Sequence, residues 1–171
     1  MTRSITPELL TADAFKPFGD VIEASAAARR LSINHGNTTR FHDLAAIDIT
    51  GEGGKAGVSI FRSTPLAQPV SVKIMEHHPL SSQAFMPLSG RPYLVVVAPA
   101  GDFDAAATRV FIASGDQGVN YHAGTWHHFS LALDEVSDFL VVDCISQDDS
   151  IVNCVEHTLC ENEQIFIQLP R

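Results

Sequence analysis

Two short stretches carry most of the side chains that could do chemistry. One is Glu76-His77-His78, followed by Gln83; the other, residues 118–128, reads GVNYHAGTWHH and packs three histidines, two aromatics and two glycines together. Imidazole nitrogen and carboxylate oxygen are donors for zinc, nickel, manganese or iron, so a glutamate and two histidines meeting at strand ends form a divalent-metal site. The competing reading of any one of these histidines is a buried ring bonded to a backbone carbonyl.

Side chains alternate between faces along a strand, so parity indicates which groups look inward. In the run 70–78, VSVKIMEHH, the parity of Val70, Val72 and Ile74 continues to Glu76 and His78, which are expected to face the interior. Lys73 and His77 fall on the other face and are expected in solvent. Over residues 127–133 the same test groups His127 with Phe129, Leu131 and Leu133, and sends His128 outward with Ser130 and Ala132. His122 lies across the Gly124 turn, through which parity does not carry. The inward set is therefore Glu76, His78 and His127.

What must position this set is a series of short strands. From Val58 onward the chain reads VSIFRS, VSVKIMEHH, AFMPLSG, YLVVVA, RVFIA, HHFSLAL, FLVVDCI and QIFIQL, separated by Gly, Pro, Asp and Ser clusters. Strands at this spacing form an antiparallel sandwich or barrel. Upstream, Thr6 before Pro7 and Thr11 before Ala12 carry helix-start chemistry, ended by Pro17 and Gly19, so one or two short helical turns are expected. EASAAARRL (23–31) reads as a linker or an alanine-rich turn, and TGEGGKAG (50–57) as a loop. With no fixed-period repeat and no low-complexity linker, residues 1–171 are expected to form one domain.

Composition narrows the partners. A net charge of −9, from 11 cations and 20 acids, argues against a nucleic-acid or anionic-membrane surface and for a small molecule. An anionic ligand would have to be met by a local cation in a pocket. Cys144, Cys154 and Cys160 form neither a C-x-x-C pair nor an even framework, which fits a reducing, cytoplasmic compartment. The first fifteen residues lack an apolar core of signal-peptide length, and the longest apolar run, YLVVVAPA, is too short to cross a bilayer.

The spacing Glu76-x-His78, then Gln83, then Gly90 resembles the first motif of the cupin superfamily, and Gly124-Thr125-Trp126-His127 resembles the second. Glu76 stands where a histidine is usual and Gln83 where a glutamate is usual, so the ligand set implied is Glu76, His78, Gln83 and His127, with Gln83 a weak neutral donor. Together with FGDVIE, INHGNTTRFHDLA, HPLSSQAFMPL, LVVVAPAGD, GDQGVNYHAGTWHH and DFLVVD, these motifs make the chain resemble the ureidoglycolate lyase family from about Phe18 to Asp143. The resemblance implies a mainly β, cupin-like double-stranded β-helix (an antiparallel barrel or jelly roll) and a homodimer. It also implies cleavage of ureidoglycolate to glyoxylate and urea in allantoin and purine catabolism, with nickel associated with some members.

One carbon of ureidoglycolate bears a hydroxyl, a carboxylate, a hydrogen and the urea nitrogen. Cleavage must hold the carboxylate, take the hydroxyl proton and protonate the departing nitrogen. Arg62, sharing parity with Val58 and Ile60, is the candidate for the carboxylate, because a guanidinium grips two oxygens at once; a surface ion pair is its alternative. Glu76 or His78 is the candidate base, and His122 or Tyr121 the candidate acid, with Tyr121 and Gln83 also lining the substrate. Asn34, with His35, Arg40 and His42, forms a polar cluster that either closes over the site, from this subunit or the other, or is a loop held by its own hydrogen bonds. Two other classes share these features: a different metal-dependent cupin enzyme acting on a small acid, and a non-catalytic cupin that binds a small molecule. A nucleophilic hydrolase does not, since the chain has no G-x-S-x-G elbow.

Overall fold

The run Tyr93–Ala98 has no charged side chain to turn toward water, so as a strand it must be covered on both faces. In the computed structural model, which describes residues 3–49, 51–146, 148 and 150–169, all six of its residues are buried. It pairs antiparallel with Arg109–Ala113 on one side and with Trp126–His127 and Leu131–Ala132 on the other. This sheet continues through Ile74–His77 to Val155–Thr158, and closes at its opposite edge with Glu8–Leu9, parallel to Arg109–Ala113.

A second, fully antiparallel sheet runs in the order Gly19–Ile22, Gly118–Tyr121, Gln83–Pro87, Ser137–Ile145, Lys55–Ser63. Val95, Val97 and Phe111 of the first sheet meet Phe85, Val119, Tyr121, Phe139 and Val141 of the second in one core, joined by Phe15 and Phe18. Its aromatic rings meet edge to face, as in Phe15 on Phe111 at 5.7 Å and Tyr93 on Phe139 at 5.1 Å, the arrangement that ring quadrupoles favour. On the other face of the first sheet, Leu94, Val96, Trp126 and Leu131 pack on a small sheet of Arg3–Ile5, Ile165–Ile167 and Val70–Val72. The fold is thus mainly β, with the Tyr93–Ala98 strand between two cores. No helix is long and apolar enough to cross a membrane.

Of the two helix starts, one propagates. Thr11 accepts the Ala14 N–H and caps Ala12–Phe15, whose Phe15 plugs the core. After Pro7 the chain instead lays Glu8–Leu9 along the sheet edge. The segment read as a linker ends in a strand: Arg30–Ile33 and Thr38–Phe41 form a separate two-stranded ribbon.

Alternation fails at two points, and both bear on the site. Pairing lapses at Lys73, so Val70–Val72 joins the small sheet and Ile74–His77 the large one. Val70, Val72 and then Met75 all enter the outer core, a one-residue slip that turns Glu76 to the opposite face from Val70 and Val72. His77, expected in solvent, is half-buried with its ring 4.2 Å from Trp126. The strand Trp126–His127 also stops before resuming at Leu131, and across this gap His128, expected outside, is 3% exposed while Phe129, expected inside, is 45% exposed.

Candidate functional site

His127 and Glu76 stand directly opposite each other on neighbouring antiparallel strands, which points both side chains to one face. His78 follows on the same face two residues later, and donor atoms of Glu76, His78 and His127 all lie within 4.8 Å of one another. His127 lies flat on Tyr121, centroids 4.2 Å apart and planes 3° from parallel, and its ring stacks on His78 at 5.4 Å. Gly124 adopts φ +81°, a conformation that side chains disfavour, and its N–H donates to the His78 carbonyl, tying the two motifs together.

Each imidazole has one nitrogen committed and one free. His78 Nδ1 lies 2.5 Å from the Asn153 carbonyl oxygen and His127 Nδ1 lies 3.3 Å from that of His128. Carbonyls only accept, so Nδ1 carries the proton in both rings. Both Nε2 atoms are buried without a partner, and so is Oε1 of Gln83, whose residue pairs with Tyr121 and shares its inward face. A buried acceptor left unpaired costs about 1–3 kcal/mol, and imidazoles fixed through Nδ1–H with Nε2 free are the arrangement that metal ligation uses. The residues therefore fit a divalent cation: two imidazoles, each with an unpartnered Nε2, and a carboxylate within reach of one another.

Electrostatics agree with that set. Burial pushes the His127 pKa down to about 3, with His78 adding to the effect, so the ring is neutral and ready to ligate. Burial raises Glu76 above the usual carboxylate range; His78 opposes the rise, and Glu156, directly across the strand pair, adds to it. The Tyr121 hydroxyl is pushed up by burial and then by Glu76, and keeps its proton. Cys154 Sγ lies 3.9 Å from Glu76 Oε2, and burial together with Glu76 and Glu156 holds its thiol protonated. Asn153, Cys154 and Glu156 belong to a stretch with no recognisable motif; Glu156 arrives by pairing with Glu76, and Asn153 and Cys154, just ahead of that strand, reach His78 and Glu76 through their own contacts.

The other expected site residues lie elsewhere. The His122 ring turns to Asp20, Nε2 to Oδ2 3.1 Å, beside a cleft lined by Ala46, Asp48, Ser82 and Ala123, and does not join the Glu76 group. Burial opposes ionisation of Asp20, but hydrogen bonds from Asn120, the Ala46 N–H and His122 outweigh it and hold that carboxyl below its usual range. Arg62 is corrected outright: its guanidinium is gripped by both oxygens of Asp138 at 2.8 Å on the outer face of an edge strand, 72% exposed, with Val58 and Ile60 also facing outward. Asn34 sits at the tip of the ribbon, its Nδ2 donating to Thr38 Oγ1, and makes no hydrogen bond to the Glu76 group among the described residues.

Comparison with known proteins agrees with the sequence resemblance. The family profile for ureidoglycolate lyase matches residues 2–166. Ureidoglycolate lyase of Burkholderia mallei (strain NCTC 10229) is 57% identical over 141 residues, covering 82% of each chain. That of Pseudomonas syringae pv. tomato is 48% identical over 166 residues, 96% of this chain and 95% of the other. Among solved structures, Lactobacillus farciminis oxalate decarboxylase in its formate complex is similar at a TM-score of 0.40 and 16% identity, over 58% of this chain and 26% of that one.

Proposed function

The chain belongs to the ureidoglycolate lyase family, and from that premise we propose that it cleaves ureidoglycolate to glyoxylate and urea at the Glu76, His78 and His127 group. What supports this placement is the pair of buried, unpartnered Nε2 atoms beside a carboxylate still 25% exposed, an arrangement that serves no structural bond yet is open to a small molecule.

Nε2 of His78 and of His127, the Glu76 carboxylate and Oε1 of Gln83 would hold a divalent ion, and nickel is the one the family resemblance implies. Such an ion, when bound, supplies Lewis acidity to the substrate's hydroxyl and carboxylate oxygens. The proton work falls to Glu76. Its carboxylate is the part of the group still open to a small molecule, which places it to take the hydroxyl proton as the carbonyl forms. The electron pair of the breaking C–N bond goes to the urea nitrogen, and the carboxyl returns its proton there, so no water is consumed. Tyr121, stacked on His127 and still protonated, locks the imidazole in place. His122, bonded to Asp20, lines the neighbouring cleft, and in this reading both proton transfers stay with Glu76.

A homodimer in the cytoplasm completes the proposal; Cys144, Cys154 and Cys160 are free thiols, which supports a reducing compartment. The test is to supply ureidoglycolate and follow urea, ammonia and glyoxylate separately. Equal urea and glyoxylate without ammonia is expected. Ammonia in place of urea would mean amide hydrolysis and would overturn the mechanism.

A further inference from the structure

Beyond a bound metal ion, a substrate carboxylate is gripped by a cationic side chain, and among the described residues the Glu76 group has no lysine or arginine beside it. The neighbours that shift Glu76 are His78, Glu156 and Cys154. Arg62 is held by Asp138, Arg91 by Glu135, Arg109 by Glu8, and Arg3 by the Ala105 carbonyl. Lys73 opens onto the outer side of the sheet beside His128 and Phe129, Lys16 onto a cleft beside Gly19 and Asp20, and Lys55 is exposed at the start of the edge strand, opposite Ile145.

Three arginine side chains remain without a partner among the described residues: Arg29, Arg30 and Arg40, all exposed and all on or beside the two-stranded ribbon. Every hydrogen bond of residues 29–42 among the described residues closes within that segment, through the strand ladder, Asn34 Nδ2 to Thr38 Oγ1, Asn37 N–H to the Asn34 carbonyl, and His42 N–H to the Arg29 carbonyl. A lone two-stranded ribbon is marginal in water, and beyond its base, where Arg29 and His42 line a cleft with Ala12, Val21 and Glu23, no hydrogen bond among the described residues ties this one to the body. Its register pairs Leu31 with Arg40 and Ile33 with Thr38, which places an apolar stripe and one guanidinium on the same face. Arg30 falls on the other face with Phe41. At the tip, Asn34, His35 and Gly36 follow one another at φ 52°, 56° and 88°, a left-handed run that non-glycine residues rarely adopt.

We propose that this arm crosses to a second copy of the chain, where its Arg40 supplies in trans the guanidinium that holds the substrate carboxylate. The inference rests on the lyase reading above. Charge favours a second copy as the occupant: residues 29–42 hold three arginines and no acid, which leaves −12 on the remainder of a chain whose total is −9. The mouth the arm would meet carries Glu76 and Glu156 on one face, complementary to a basic arm.

Subunit complementation tests this. Arg40→Ala should lower kcat/KM by about a hundredfold, mostly through KM, with circular dichroism and metal content unchanged, because a paired guanidinium–carboxylate contact is lost. His127→Ala should be inactive. Mixed in equal amounts and allowed to exchange subunits, half of the dimers would each hold one complete site, returning about a quarter of wild-type activity. No recovery would mean that the arm serves its own subunit, and the proposal would fall. As a second measurement, replacing residues 31–40 with Gly-Gly should weaken or abolish the dimer in sedimentation equilibrium; an unchanged dimer would overturn the docking. Absence of urea release by the wild-type protein would remove the lyase reading, while sedimentation would still decide the arm.

Discussion

Acidification of the metal-free protein should expose the cost of keeping His127 neutral. The ring is 1% exposed, and its pKa is pushed down to about 3 from an ordinary 6.5. The unfolded chain takes up the proton from pH 6.5 downward, whereas the folded chain refuses it until about pH 3. Between those limits the unfolded state binds more protons, so stability falls as pH falls. At pH 5 the unfolded ring lies about 1.5 units below its pKa, which amounts to about 2 kcal/mol of stability lost to this one residue relative to pH 7. The assay is urea unfolding in chelator at pH 7, 6 and 5, for the wild type and His127→Gln, which keeps a neutral polar side chain without the titration. His77 and His128, whose pKa values burial also lowers, and Glu76, whose pKa burial raises, titrate in both proteins and largely cancel in the difference. The wild type should lose about 2 kcal/mol more than the variant between pH 7 and pH 5. Parallel losses would refute the reasoning.

Gln83→Glu replaces a buried, unpartnered amide oxygen with a carboxylate, and should tighten divalent-metal binding by about tenfold or more in calorimetric titration. Arg62→Ala should leave kcat and KM for ureidoglycolate unchanged, since that guanidinium is spent on Asp138 at the surface. Phe111→Ala empties the centre of the inner core, where Phe15, Phe18 and the Arg109 guanidinium all contact the ring, and should cost about 3–5 kcal/mol in chemical denaturation.

How far the site was legible in the sequence depends on what alternation can and cannot see. Donor types and spacing picked out Glu76, His78 and His127, which the fold brings together. The parity argument reached Glu76 by an invalid route, because it assumed one continuous strand through Lys73 where the chain changes sheets. Arg62 failed for a related reason: on an edge strand, Val58 and Ile60 are apolar yet face outward, so sharing their parity does not mean facing the core. The continuous apolar run 93–98 was recognisable as a strand, and its burial on both faces follows from having layers on either side. The ribbon escaped notice because its apolar positions, Leu31, Ile33 and Phe41, are too few to show a period. Asn153, Cys154 and Glu156 reach the site only through long-range contacts, which no local pattern encodes.

The most direct test of the account follows urea release by the purified protein before chelation, after chelation and after nickel is restored, beside His78→Ala treated identically. The account predicts loss on chelation, recovery with nickel, and no urea from the variant at any stage. Full urea release by chelated wild type and by His78→Ala would contradict it.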